Sequence, residues 1–232
     1  MAEQHGADKR LQDLPPLFQE SGLLEQFNLP PKLIRFLRRY QSAIWAVIAA
    51  AIVLALALAG YNAYTDHRRA KGAEALDTAM QAGENRRDLL AQVRDDYAST
   101  PSALWAEVAL ARMNEQENKA DEAIQRYQAV RARLKPGSQL MPLVLGKLAA
   151  LEEQKKNWEA ALAYYQELGK IDSFAADAHL NMGRLYEAQA KKDEALAMYK
   201  KFLEFTAAGT EQSGPDPRRQ MIQSHIELLQ AN

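Results

Sequence analysis

Residues 43–61 form nineteen consecutive positions without a charge, in a chain whose charged residues make up 25% of the whole sequence. A helix rises about 1.5 Å per residue, so a run of this length reaches across the roughly 30 Å hydrocarbon core of a bilayer. Its large side chains (Ile44, Val47, Ile48, Ile52, Val53, Leu54, Leu56 and Leu58) follow no period that would leave one face polar. Tyr40 and Trp45 flank one end, and Tyr61 and Tyr64 the other. Amphipathic rings of this kind favour the headgroup level. A buried core helix would need covering elements on every side, and the 42 preceding residues cannot supply them. Ala57-Leu58-Ala59-Gly60 looks like a signal-peptide cleavage site, but a signal peptide would begin close to the N-terminus. The expectation is an uncleaved anchor: a tail over 1–42, a transmembrane helix over 43–63 and a domain over 64–232.

The flanks suggest an orientation. Lys32, Arg35, Arg38 and Arg39 precede the span, and Arg68, Arg69 and Lys71 follow it. Long domains translocate largely regardless of charge, so the cluster beside the short tail decides. That places 1–42 in the cytoplasm and the domain outside it, as in a single-pass protein of a bacterial inner membrane. The formal net charge of −1 argues against a nucleic-acid partner. Cysteine is absent, which excludes a disulfide framework, a thiolate metal site and a lipoprotein anchor.

After the span the apolar residues recur three and four apart, the period of helices. Pro and Gly gather at only a few points: Gly83, Pro101, Pro136-Gly137, Gly209 and Gly214-Pro215. Self-similarity organises what lies between them. Asp121-Glu122-Ala123-Ile124-Gln125-Arg126-Tyr127 is echoed by Glu159-Ala160-Ala161-Leu162-Ala163-Tyr164-Tyr165 and by Asp193-Glu194-Ala195-Leu196-Ala197-Met198-Tyr199. The small residue and the ring are each displaced by 38 and then 34 positions. Leu110-Ala111, Leu148-Ala149 and Met182-Gly183 keep the same intervals, and four extra residues around Lys135-Pro136-Gly137 account for the longer one.

A helix-turn-helix of 34 residues with a small residue in its first helix, then Ala and an aromatic four apart in its second, resembles the tetratricopeptide repeat. Small residues let helices approach closely, and the ring fills the space between repeats. The resemblance is fullest over 176–209; Asn114 and Glu152 stand where Tyr186 supplies a ring. The fold class it implies is all-α: a single transmembrane helix followed by a tetratricopeptide-repeat-like α-solenoid. Repeats are expected at about 104–135, 142–173 and 176–209, with a capping helix over 217–230. The membrane helix should continue to about Met80 and stop at Gly83, with a further helix over 86–97. Thr100 before Pro101 reads as an N-cap, and Asp216-Pro217 repeats that device. In the tail, Leu14-Pro15-Pro16 and Leu29-Pro30-Pro31 bracket Leu17, Phe18, Leu23, Leu24 and Phe27, read as disordered, as a linear docking motif or as a stretch lying on the membrane surface.

No catalytic chemistry emerges. His5, His67, His179 and His225 share no ligand spacing, and no phosphate loop, nucleophile elbow or zinc spacing occurs. No cofactor, metal or small-molecule substrate is expected. The Asp-Glu pairs at 121–122 and 193–194 complement helix N-termini. In such arrays the working surface is the concave face lined by first helices. The repeat register projects Trp105, Val108, Arg112, Leu143, Lys147, Asn181 and Arg184 onto it as a candidate peptide-binding groove. A chaperone-tail carboxylate clamp would use the positions of Val108, Arg112, Lys147, Asp177 and Asn181, and Val108 and Asp177 break that pattern.

A basic juxtamembrane stretch, one span, a helix leading into repeats and Asp95-Asp96-Tyr97-Ala98-Ser99-Thr100-Pro101 before the first clear pair resemble the YfgM-type ancillary subunit of the bacterial Sec translocon. The resemblance covers about 32–208. It implies a periplasmic repeat domain that associates with the translocon and with periplasmic chaperones. An envelope scaffold for cell division, the Tol-Pal system or a surface appendage fits the same layout. So does a non-catalytic accessory subunit of a membrane enzyme.

Overall fold

The structure, a computed structural model, describes residues 39–207 and 217–231. The proline-bracketed tail, Gly209, Gly214-Pro215, the Asp216 cap and most of the basic stretch before the span lie outside the described residues. Contacts divide the chain into Met1–Tyr64 and Thr65–Asn232. Helix α1 (Gln41–Gln81) runs through that division.

In the first unit the helix carries its apolar side chains uncovered on all sides. Val47, Val53 and Leu56 are 69%, 66% and 68% exposed, far beyond what water tolerates in a contiguous patch. By length and composition α1 is able to cross a membrane.

The second unit is an all-helical stack. Beyond α1 it contains α2 (Arg86–Asp96), α3 (Pro101–Gln116), α4 (Ala120–Arg133), α5 (Met141–Gln154), α6 (Trp158–Leu168), α7 (Asp172–Ala188), α8 (Lys192–Ala207) and α9 (Pro217–Ala231). From α2 to α9 each helix packs on its neighbours in sequence. The core is accordingly a row of clusters rather than one centre, as in a one-dimensional repeat array. Leu90, Val93, Ala106 and Leu110 close the first cluster with Ala79 of α1, and Tyr199, Phe202, Ile222 and Ile226 close the last.

The small residues sit at the tightest crossings. Ala111, Ala123, Ala149, Ala161 and Ala195 are wholly buried, and Tyr127, Tyr165 and Tyr199 fill the space beside them. At Gly183 a methyl group would stand 2.5 Å from the Tyr199 ring, well inside van der Waals contact. Gly72 of α1 makes a similar approach: a Cβ there would be 3.2 Å from Tyr97, Thr100 and Ser102.

Each repeat turns on the same backbone device. Asn118, Lys156 and Ala190 adopt left-handed φ values of 58°, 62° and 59°. The amides of Asn118, Lys156 and Ala190 donate to the carbonyls of Glu115, Glu153 and Glu187. Those of Lys119, Asn157 and Lys191 donate to the carbonyls of Asn114, Glu152 and Tyr186, at 2.8, 2.8 and 2.9 Å. This is a Schellman cap, which satisfies the last carbonyls of the first helix and reverses the chain.

Two local expectations change. Thr100 is extended before Pro101, but its hydroxyl donates back to the Tyr97 carbonyl at 2.8 Å and makes no cap bond. Gly83 lies past the end of α1, which closes with the Ala82 amide on Ala79 at 3.3 Å; the left-handed glycine among the described residues is Gly137, at φ 78°.

Two changes check this packing by denaturant unfolding. Ala161→Leu overfills a closed crossing and should cost about 1–3 kcal/mol. Ala190→Gly removes left-handed strain, of order 1–2 kcal/mol for a residue with a Cβ, against a glycine entropy cost of roughly 0.5–1 kcal/mol. It should be neutral or stabilising, whereas Ala197→Gly in the exposed face of α8 should cost about 1 kcal/mol. Equal losses at 190 and 197 would show that the left-handed turn is absent.

Candidate peptide-binding groove

The first helix of each pair presents one face to a row of concavities, and the repeat register decides which side chains meet there. Trp105, Val108 and Arg112 of α3 and Leu143 and Lys147 of α5 line a cavity of about 530 Å³. Leu76 and Met80 of α1 and Arg86 and Leu90 of α2 complete its walls. Trp105 is 46% exposed and Leu143 42%, so both offer apolar surface to a ligand, whereas Val108 at 8% is wall. Asn181 and Arg184 stand elsewhere. They line a second concavity of about 540 Å³ with Gly146, Glu153 and Tyr165. Arg184 also borders a third, of about 600 Å³, with Glu187, Tyr199, Met221, His225 and Leu228. The seven residues read from the sequence therefore divide five and two.

A polar ladder links these concavities. Glu115, Glu153 and Glu187 recur at the repeat interval and each accepts a hydrogen bond from the tyrosine twelve residues on. The Tyr127 hydroxyl bonds Glu115, that of Tyr165 reaches Glu153 at 3.2 Å and that of Tyr199 reaches Glu187 at 2.7 Å. The helix two along supplies a cation or imidazole to each carboxylate: α5 to α3, α7 to α5 and α9 to α7. Lys147 Nζ lies 2.8 Å from Glu115, Arg184 Nη2 3.9 Å from Glu153, and His225 Nε2 2.9 Å from Glu187. Burial, reinforced by the neighbouring carboxylate, raises Tyr127 and Tyr199 far above the ordinary phenol value and Tyr165 to about 12. The three hydroxyls thus remain neutral donors. The ladder was readable in principle, because the glutamates share the 38 and 34 spacing, but a residue three positions before a turn looks like solvated helix.

The ladder also sets the charge of the groove. Lys147 and Arg184 face carboxylates of the preceding repeat, while Arg112 is exposed and makes no hydrogen bond or ion pair among the described residues. Asp177, at a clamp position, binds Arg218 of α9 at 2.6 Å and so ties the last helix to the stack. Asn114 and Glu152, which replace a ring, are buried and satisfied instead. Asn114 accepts from Arg87 at 3.0 Å and donates to Glu122 at 3.2 Å, and Glu152 accepts from Asn157 at 2.7 Å. Among the described residues no three His, Cys, Asp or Glu side chains gather where they could hold a metal.

Stacked helix pairs turning on a repeated cap, with a small residue and a ring at each crossing, define an α-solenoid of the protein-interaction kind. Residues 35–231 match the tetratricopeptide repeat-like domain family, and the chain belongs to it. It is a protein–protein interaction module by fold. Similar solved structures include PcrH in complex with the chaperone binding region of PopB, at 17% identity over 56% of this chain and 95% of that one, with a TM-score of 0.43. Nearly identical repeats of a putative kinesin light chain from Podosopora anserina align at 15% identity over 72% and 94%, TM-score 0.45. MamA aligns at 14% over 64% and 89%, TM-score 0.43. No curated protein matches the chain in sequence.

The acid side of the stability profile tests the end of the ladder. Hydrogen bonding from His225, and also from Tyr199, holds Glu187 below its ordinary 4.5. Its stabilisation is therefore complete above about pH 4.5 and is lost as the pH falls through the lower folded value. Burial lowers His179 from 6.5, so the unfolded chain binds that proton more readily and stability begins to fall below about pH 6.5. Unfolding midpoints measured from pH 8 to 3 should decline in two stages. Glu187→Gln should flatten the lower stage only, and an unchanged lower stage would remove Glu187 from the account.

Proposed function

We propose that this protein is a membrane-anchored interaction module whose groove engages extended or unfolded polypeptide, in the manner of an ancillary subunit of the Sec translocon. The observation that carries the reading is the cavity between α1, α2, α3 and α5, where Trp105 and Leu143 present exposed apolar surface beside the cations Arg86, Arg112 and Lys147. Exposed aromatic anchors in a concave site carry most of the affinity in protein interfaces. The uncovered apolar part of α1 supports a single span, and the basic residues before it support a cytoplasmic tail. The repeat domain then stands in the periplasm, able to take a chain leaving the translocon and present it to a chaperone. The groove is candidate surface at Trp105, Val108, Arg112, Leu143, Lys147, Asn181 and Arg184.

Site-specific photocrosslinking in cells tests this reading. Probes at 105, 112, 143 and 184 should capture translocon subunits, periplasmic chaperones or secreted chains in transit, and a probe at Gln125 on α4 should not. A reporter active only outside the cytoplasm should give signal when fused after Asn232 and none at the N-terminus. Capture confined to cell-division or Tol-Pal proteins would replace the translocon role with an envelope scaffold. The inverted reporter pattern would end the periplasmic assignment.

A further inference from the structure

The three concavities share a scaffold but differ in charge. Arg184 borders the second and third, and Glu153 lines the second while Glu187 lines the third, so each contains its own counterion. The first cavity has three cations in its lining, Arg86, Arg112 and Lys147, and no Asp or Glu among its described lining residues. Lys147 is neutralised from behind by Glu115. Arg86 gives Nη2 to the Met80 carbonyl, leaving a buried Nε with no hydrogen-bond partner. Arg112 is exposed and forms no hydrogen bond or ion pair among the described residues. An apolar concavity with a surplus of two guanidinium groups is complementary to one kind of polypeptide. The apolar wall takes a large aliphatic or aromatic side chain, and a guanidinium beside it takes a carboxylate through charge-assisted bonds.

We propose that the first cavity recognises an internal polypeptide segment in which Asp or Glu lies next to a large apolar residue, with Trp105 and Leu143 holding the apolar side chain and Arg112 the carboxylate. The second and third concavities, already balanced, contribute contact without acid selectivity. The proposal rests on the groove reading above and adds the chemistry of the ligand to it. Because the carboxylate comes from a side chain, terminal blocking leaves recognition intact.

The test uses the full chain in lipid nanodiscs and fluorescent peptides blocked at both ends. One peptide is a Gly/Ser chain carrying Phe and Leu flanked by Glu, a second replaces Glu with Gln, and a third keeps Glu but replaces Phe and Leu with Ser. By fluorescence anisotropy the first should bind at least about tenfold tighter than the second, and the difference should shrink with added salt. Arg112→Gln should bring the first peptide to the level of the second and leave the second unchanged, which also shows that the variant is folded. Lys200→Gln, on the exposed face of α8, should preserve the preference. Equal binding of the Glu and Gln peptides, or a preference that survives Arg112→Gln, overturns the proposal. If Trp105→Ala still weakens both peptides in that case, the groove itself stands. Failure of any peptide to bind, or binding indifferent to Trp105→Ala, overturns the groove reading together with the proposal.

Discussion

The contact on which the rest of this molecule depends is a small residue meeting a tyrosine ring. Ala or Gly in the first helix and Ala in the second bring backbones together, and Tyr127, Tyr165 or Tyr199 occupies the space that closeness leaves. Interiors packed at crystal-like density tolerate little change at such a point. Repetition of this contact at the intervals of 38 and 34 sets the helix spacing all along the stack. The ring also carries a hydroxyl, and that hydroxyl must find an acceptor when buried. It finds Glu115, Glu153 or Glu187, and the carboxylate in turn draws a cation or imidazole from the helix two along. Packing and electrostatics are thus coupled at each repeat, and the coupling reaches the concave surface.

That surface inherits its chemistry from the ladder. Where the ladder is complete, the concavity contains matched charges. At the N-terminal end α1 and α2 replace a preceding repeat, so they contribute Leu76, Met80 and Leu90 as apolar wall and Arg86 as an unmatched cation. The capping problem that every solenoid faces at its ends is solved differently at each. At the far end α9 covers Tyr199 and Phe202, and Arg218 pairs with Asp177. The third concavity also exposes Met221 and Leu228 but balances its charges, whereas the first sets its apolar wall beside unmatched cations, and this difference in charge separates the two ends.

Much of the architecture was legible because repeats print a register. The positions of Ala123, Ala161 and Ala195 with their tyrosines announced the packing, and an apolar run without a period announced α1. The turns were not legible: Lys156 and Ala190 are left-handed without glycine, since the Schellman bonds hold them there against their own preference, and only Asn118 is a residue that adopts this conformation readily. Burial and bonding by partners on other helices were equally hidden. Val108 lines the first cavity from a largely buried position, and Asn114 reads as a missing ring yet is a bonded core amide. The charge pairing was hidden for the same reason, because Lys147 and Arg184 meet their carboxylates only after the helices stack. The contribution of α1 and α2 to the first cavity left no repeat signature, as neither belongs to a repeat.

The most direct measurement is a double-mutant cycle on Gly183 and Tyr199, read by denaturant unfolding of the full chain. Alone, Gly183→Ala forces a methyl against the ring, and Tyr199→Leu leaves a void. Together the methyl enters space the ring has vacated, so the double variant should be more stable than the sum of the single losses. The coupling expected for residues in contact is about 0.5–3 kcal/mol. Additive losses would mean that Gly183 and Tyr199 do not meet, and the spacing of the stack would then need another cause.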